Sequence, residues 1–454
     1  MEISITKPLQ LVRKKINSSS GSIIMAQSLA TLLLFTVDIV FARSFSTELF
    51  GTWKQLLLIS NFLLPLCSFG VIDGFKYFAA KEQKDWKSHY LTSLIWLIFI
   101  AILLVIVCLI GGGFLLSRFF SNPLLMDVCW VFPLIYLSYS FSTSSKYAVI
   151  NQGLEKSFLK AMIISVVVSS ILFAFALLFR GRLSQVEIIL TLGYSLAFGH
   201  ISRFLFMHYT LRGSVNAFVG FFDRIKKFIA YGFPLYLTSF LTIIILNIDK
   251  TIVSYYTGAE GFAIYSIGAK DIPFLSIISS SVYQANFPKL VSFYSNSEVL
   301  QAAKLWIRLT ITVSRLTYPL ILFFLLISEP AVIFLYGEPY QDSVRIFQTY
   351  LLVLLWRNNY YGALLSASGK TKWITIYSVI ALVLNTILSL GFYALFGVLG
   401  VIYATFLTVS IVNILQMRHE KVLGQTFMEF LRKPILIFWI ALILVTYFLY
   451  PVLF

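Results

Sequence analysis

Nine ionisable residues stand inside stretches of this chain that are otherwise strongly apolar: Asp38, Lys146, Arg203, Asp249, Lys250, Lys270, Asp271, Arg315 and Arg357. A charge at the centre of a bilayer costs about 2.5 kcal/mol or more, so each is expected to face a cavity or a partner. The deep charges are mostly basic. Arginine grips a phosphate through two parallel N–H bonds of its planar fork, and lysine holds one as a point charge. The chemistry these residues offer is therefore recognition of an anion, and in particular of one that bears phosphate.

Lys304, Arg308 and Arg315 follow at steps of four and seven. On a helix they lie within roughly 40° of one another and rise about 16 Å, a single cationic stripe. Such a ladder could lead an anionic headgroup inward; alternatively Lys304 and Arg308 snorkel to lipid phosphates. Arg357 stands about 13 residues into its apolar segment, near the midplane, where it lines a cavity or completes an ion pair. Lys270 lies about 12 Å below the outer surface. Adjacent helical residues do not share a face, so Asp271 diverges from Lys270, and Asp249 from Lys250. Asp249 reads as the partner of a cation rather than as a proton carrier. Lys146 and Arg203 read as snorkelling residues near cytoplasmic helix ends, and His200 as a packed polar side chain. The expected substrate-binding set is thus Arg315, Arg357, Lys270, Lys250 and Arg308. Asp38, Arg43, Asp249 and Asp271 are expected as structural or coupling charges, while Asp73 and Lys76 sit nearer span ends.

The elements that must position these groups follow from composition. Of 454 residues 59% are hydrophobic, 17% aromatic and only 12% charged, about half the charged share of a soluble domain. Mean hydropathy is +0.87. Lipid, not water, must solvate most of this surface. Apolar stretches near 19–42, 53–79, 90–116, 124–149, 157–180 and 186–209 are each long enough to cross a bilayer as a helix. A second set lies near 228–256, 262–290, 301–327, 344–366, 372–394 and 398–417, and a last segment runs from about 434. The expected fold is an all-α polytopic membrane protein of twelve spans in two sixes, plus one.

The loops support that count. Segments assigned to the cytoplasm hold twenty-two basic residues, among them Lys7, Arg13, Lys14, Lys15, Lys81, Lys84, Lys87, Arg212, Arg224, Lys226, Lys227, Lys421, Arg432 and Lys433. The opposite side holds six: Arg43, Lys54, Arg118, Arg180, Arg182 and Arg345. This bias places the N-terminus in the cytoplasm and the C-terminus outside. The net charge of +16 is spread over seven short loops rather than gathered into a groove, which argues against nucleic acid.

Glu48-x-Phe50-Gly51-x-Trp53 returns as Glu260-x-Phe262-Ala263-x-Tyr265, shifted by 212 residues. Six spans separate the copies, so both face the same way and the repeat is parallel, with the site expected between the halves. The expected division is a lobe over 1–212, a cytoplasmic linker over 213–227, a second lobe over 228–417 and an additional helix within 418–454. Glycines at 111–113, 397 and 400 are expected to let helices approach, and Pro65, Pro133, Pro234, Pro273 and Pro319 to bend them. Catalysis has little foothold. Cys67, Cys108 and Cys129 and the four scattered histidines make no metal spacing. Gly369-Lys370-Thr371 lacks the opening glycine of a phosphate loop, since position 364 is Leu364. No catalytic residue, cofactor or metal is expected.

The chain resembles the polysaccharide-transporter branch of the multidrug/oligosaccharidyl-lipid/polysaccharide exporter superfamily, whose Wzx-type members flip lipid-linked oligosaccharides. The resemblance covers nearly the whole chain. Its carriers are Phe41-Ala42-Arg43, Phe50-Gly51-Thr52-Trp53, Ser68-Phe69-Gly70-Val71, Tyr231-Gly232-Phe233-Pro234-Leu235 and Asn247-Ile248-Asp249-Lys250. They continue with Ala263-Ile264-Tyr265-Ser266, Leu335-Tyr336-Gly337, Ala367-Ser368-Gly369-Lys370-Thr371 and Gly397-Val398-Leu399-Gly400-Val401. Ala263 stands where these proteins usually carry glycine. The resemblance implies two six-helix lobes, a cationic central cavity and alternating access. The implied cargo is an oligosaccharide on undecaprenyl pyrophosphate, moved across the bacterial cytoplasmic membrane for O-antigen or other surface polysaccharide. Expected partners are membrane lipid and polysaccharide polymerase and chain-length proteins, with the chain itself a monomer. The alternatives are an ion-coupled small-molecule antiporter of the same superfamily and a membrane glycan polymerase or ligase.

Overall fold

The fold was taken from a computed structural model, which describes residues 19–211, 220–357, 359–419 and 434–453. Among these residues every regular element is helical. The first set comprises α1 (Ser19–Ser44), α2 (Thr47–Leu66), α3 (Val71–Lys81), α4 (Trp86–Val107), α5 (Gly113–Phe119), α6 (Leu124–Val128), α7 (Val131–Asn151), α8 (Glu155–Leu178) and α9 (Gln185–Thr210). The second comprises α10 (Phe221–Gly268), α11 (Pro273–Ser295), α12 (Val299–Leu326), α13 (Ser328–Tyr336), α14 (Ser343–Arg357), α15 (Ala363–Ala367) and α16 (Thr371–His419), followed by α17 (Pro434–Leu453). Helix occupies all thirteen stretches read as spans.

Glycine turns explain why two of these helices run to twice a span's length. Gly258, at φ +64°, separates 221–257 from 259–268 within α10, and Gly397, at φ +60°, divides α16 into two spans. Six described helices are individually long and apolar enough to cross a membrane, and the pair α2–α3, bent by 51°, makes a seventh. The fourth stretch falls below that apolar level for a physical reason. Its helix α7 carries Ser138, Ser140, Ser142, Ser144 and Ser145, all buried against neighbours.

The two sets match in order. Each copy of the repeated motif opens its second span and buries its large rings: Phe50 and Trp53 in the first, Phe262 and Tyr265 in the second. Ser46 caps α2 by accepting the Leu49 N–H at 3.3 Å. The second span is broken in both sets, but at different depths. In the first set the break follows Pro65 and passes through Gly70 at φ +77°. In the second it comes earlier, at Lys270 to Ile272, and α11 restarts on Pro273.

The chain divides into two compact units, Met1–Phe240 and Leu241–Phe454. The boundary falls inside α10, whereas a linker is expected from the sequence at 213–227. Part of that stretch lies outside the described residues, and from Phe221 it is already helix. The reason is packing. Phe228 and Ile225 join Val71, Phe75, Tyr90 and Met207 in the core of the first unit. Backbone meets backbone nearby: a Cβ on Gly232 would stand 1.9 Å from the Gly70 carbonyl oxygen. Small residues do similar work between α8 and α9, where Ser169 and Ser195 donate to each other's carbonyls at 2.9 and 3.2 Å. Lys7, Arg13, Lys14, Lys15, Arg212, Lys421, Arg432 and Lys433 lie outside the described residues.

In the second unit α17 packs on α12. Arg345 on α14 stacks 4.3 Å from the Tyr447 ring centroid, and the Thr349 and Tyr447 hydroxyls pair at 3.0 Å. Two of the glycines read as helix contacts have another role. Gly111 (φ +119°) and Gly397 have open space around them and serve as breaks, while Gly113 and Gly400 make the close approaches.

Gly232→Ala is expected to lower stability by about 1–3 kcal/mol through overpacking at rigid backbone. Gly391→Ala, where nothing lies within 4 Å, is expected to be neutral or slightly stabilising. Thermal unfolding in detergent micelles compares the two.

Candidate functional site

Two broken helices bring the polar groups of the second unit together. α14 stops at Arg357, and Asn359 to Gly362 carry the chain irregularly into α15. The break at Lys270 to Ile272 presents Asp271. Arg357 Nη1 donates to the Tyr350 hydroxyl at 2.6 Å and lies 3.4 Å from Asp271 Oδ1. The Tyr350 hydroxyl in turn donates to the same carboxylate oxygen at 3.1 Å. The guanidinium side chain keeps 30% of its surface accessible, so it is paired but not sealed.

Arg357 and Asn359 are shared walls of two cavities. One, of about 240 Å³, is also lined by Asp271, Ser276, Ser279 and Tyr360. The other, of about 220 Å³, is lined by Asp249, Asn385, Thr405, Thr408 and Asn413. Asn359 is buried, and its Oδ1 has no hydrogen-bond partner among the described residues. Such an atom costs on the order of 1–3 kcal/mol unless a ligand or water meets it. Asp249 is buried, and its Oδ2 accepts from the Tyr265 hydroxyl at 2.9 Å. The two readings of Arg357 therefore coincide, because it lines cavities while paired with Asp271.

The other expected cations go elsewhere. Lys270 turns from Asp271 toward Tyr336, reaching its hydroxyl at 3.4 Å. Lys250 Nζ donates along its own helix to the Leu246 carbonyl (3.4 Å) and Asn247 Oδ1 (3.5 Å). Lys304, Arg308 and Arg315 do form one stripe, on the exposed face of α12. Trp306, Thr310, Val313, Thr317 and Tyr318 are buried on the opposite face. The stripe lines neither Arg357 cavity.

In the first unit Asp38 pairs with Lys54 at 2.6 Å, both side chains nearly covered at 11% and 13% exposure. Lys54, counted from the sequence among the outer-side charges at the start of the second span, lies in α2, 5.1 Å from the Phe50 ring centroid. Arg43 is exposed at the end of α1. The snorkelling expected of Arg203 does not occur. It is 9% exposed; Nε donates to Ser142 Oγ, Nη2 to His200 Nδ1 at 2.8 Å, and Nη1 points at Met162 Sδ. The serines of α7 make that burial tolerable, since small hydroxyl side chains leave room and offer acceptors. His200 is a packed polar histidine, its ring 5.3 Å from that of Tyr139 in an edge-on contact.

The profile of the polysaccharide biosynthesis protein family matches residues 40–345. The chain belongs to that family. Sequence comparison with curated proteins gives no match. Among solved structures, the inward-closed lipid II flippase MurJ matches with a TM-score of 0.65 at 16% identity, over 94% of this chain and 98% of its own. An inward-facing multidrug-resistance MATE transporter of the MOP superfamily matches at 0.64 and 14% identity, over 89% of this chain and 99% of its own. A MOP superfamily transporter from Pyrococcus furiosus matches at 0.57 and 14% identity, over 93% of this chain and 98% of its own. The family member described here thus has the two-lobed fold of these transporters and is a multi-pass membrane protein.

Sequence reasoning reached Arg357, Asp249 and Asp271 but missed Asn359, Asn385, Thr405 and the Asp38–Lys54 pair. Amides and hydroxyls inside apolar spans were the available signal.

Removing one member of a covered ion pair leaves an uncompensated charge. Lys54→Met is therefore expected to cost about 3 kcal/mol, and adding Asp38→Leu to recover more than half of it. Denaturant unfolding of both variants checks this.

Proposed function

We propose that this protein is a flippase that moves an oligosaccharide linked to undecaprenyl pyrophosphate from the cytoplasmic to the outer leaflet by alternating access. It would serve O-antigen or another surface polysaccharide in the bacterial cytoplasmic membrane, with its N-terminus in the cytoplasm and C-terminus outside. The observation that carries the reading is Arg357: a partly accessible guanidinium shared by two polar cavities inside an otherwise apolar unit. Asp271 holds it in the absence of cargo. A pyrophosphate entering the cavity offers the same planar fork a second anionic partner, so the guanidinium exchanges partners without becoming an unpaired buried charge. Family membership in polysaccharide biosynthesis supports the cargo class, and a fold shared with a lipid II flippase supports lipid transfer. Polymerase and chain-length proteins are the proposed partners of a monomeric transporter that itself performs no chemistry.

A small-cation antiporter of the same fold is the second reading. It is favoured by Asp249, a buried carboxylate lining a cavity with Asn385, Thr405 and Thr408. Reconstitution decides between them. Proteoliposomes loaded with a defined lipid-linked oligosaccharide are expected to show transfer to the opposite leaflet. Arg357→Ala should slow that transfer about tenfold or more, the scale of one lost charge-assisted contact. Export of a small cation with no lipid transfer would contradict the proposal.

A further inference from the structure

The first compact unit holds a cavity of about 470 Å³ that the reading above leaves unoccupied in function. This volume falls within the range of small-ligand sites. Its polar walls are Tyr139, Ser142, Thr143, Lys146 and Tyr147 on α7, Arg203 on α9 and Thr31 on α1. Sequence reasoning assigned its two cations to the helix ends, and nothing in the Arg357 site involves them.

The charge pattern differs from that of the other internal cations. Lys54 and Arg357 each meet a carboxylate. The residues lining this cavity include two cations and no carboxylate. Arg203 is satisfied only by neutral acceptors: a hydroxyl, a thioether and an imidazole. Lys146 is half-buried and has no hydrogen-bond or ion-pair partner among the described residues. Its ammonium lies instead 5.2 and 5.7 Å from the ring centroids of Phe158 and Tyr147. Lys76 approaches the same Tyr147 ring at 4.9 Å, but its charge is offset by Asp73 on the same helix, close enough to interact with both. The uncompensated charge at the cavity is therefore that of Lys146 and Arg203.

Burying cations among neutral groups is unfavourable unless an anion completes the site. The donors here are numerous and come from several directions: three ammonium N–H groups, the remaining guanidinium N–H groups, and serine, threonine and tyrosine hydroxyls. A ligand with several acceptor oxygens uses them better than a single-atom anion. We propose that this cavity binds a phosphate-type oxyanion, either the phosphate or pyrophosphate of a polyprenyl lipid or the free ion. That the oxyanion arrives on a lipid rests on the flippase reading; that the cavity takes an oxyanion does not.

Calorimetric titration of the full-length protein in detergent with inorganic pyrophosphate, and separately with farnesyl pyrophosphate, tests the site. Binding of at least one probe is expected, weakened about tenfold or more by Lys146→Glu, as loss of a charge-assisted contact implies. Lys146→Arg should retain it within about threefold, because the charge is kept. Lys84→Glu makes the same charge change at an exposed position outside the cavity and should leave binding unchanged. Lys146→Met, which suits the apolar walls, replaces the glutamate variant if thermal unfolding shows that one misfolded. Lys146-dependent binding of both probes supports an oxyanion site as such, and binding of the prenyl probe alone supports a lipid-borne ligand. Binding of neither, or binding indifferent to a folded Lys146 variant, overturns the proposal. Leaflet transfer is scored separately: its absence removes the flippase reading, whereas the site stands or falls on the titration.

Discussion

A polar group taken out of water into a membrane must find its partner within the protein, and the fold depends on that constraint. Helices meet it for the backbone. At two of the breaks, Lys270 to Ile272 and Asn359 to Gly362, the backbone departs from helix beside polar cavities, the setting in which irregular chain is tolerated at membrane depth. Side chains obey the same rule. Lys54 lies against Asp38, Arg357 against Asp271 and Tyr350, and Arg203 against the Ser142 hydroxyl of a serine-rich helix and the His200 ring.

The duplicated frame solves this problem differently in its two halves. Each lobe carries an aspartate on its first helix that meets a side chain sixteen positions later on the second. In the first lobe that side chain is Lys54, and the contact is a covered ion pair. In the second it is Tyr265, which donates a hydrogen bond but cancels no charge. Asp249 thus has a hydrogen bond in place of an ion pair, beside a cavity that Arg357 also lines. The asymmetry also runs the other way. In the first lobe Asp38 meets Lys54, while Lys146 and Arg203 line a cavity that has no carboxylate in its walls.

Much of this architecture was legible in the sequence, because twenty-residue apolar runs and alternating basic loops are strong local signals, to which a short repeated Glu-x-Phe motif adds a weaker one. Arg357 was legible too, since a cation at that depth has few explanations. The stripe of Lys304, Arg308 and Arg315 was legible as geometry, and Trp306 and Tyr318, packed on the opposite face, leave it exposed; which surface it addresses is not written in its periodicity. Arg203 was misjudged because depth was counted along the chain, while its burial comes from serines on α7 some sixty residues earlier. The division within α10 was hidden for a similar reason. Only tertiary packing of Phe228 and Gly232 assigns the start of that helix to the first unit.

The central claim is that cations inside the lobes recognise the phosphate of a lipid-borne cargo. The most direct measurement compares leaflet transfer, in one proteoliposome preparation, of a single oligosaccharide carried on prenyl pyrophosphate and on a prenyl ether lacking phosphate. Transfer of the pyrophosphate-linked glycan with little or none of the ether is the expected result. Equal rates for the two would mean that the glycan or the prenyl chain alone is recognised, and would contradict the account.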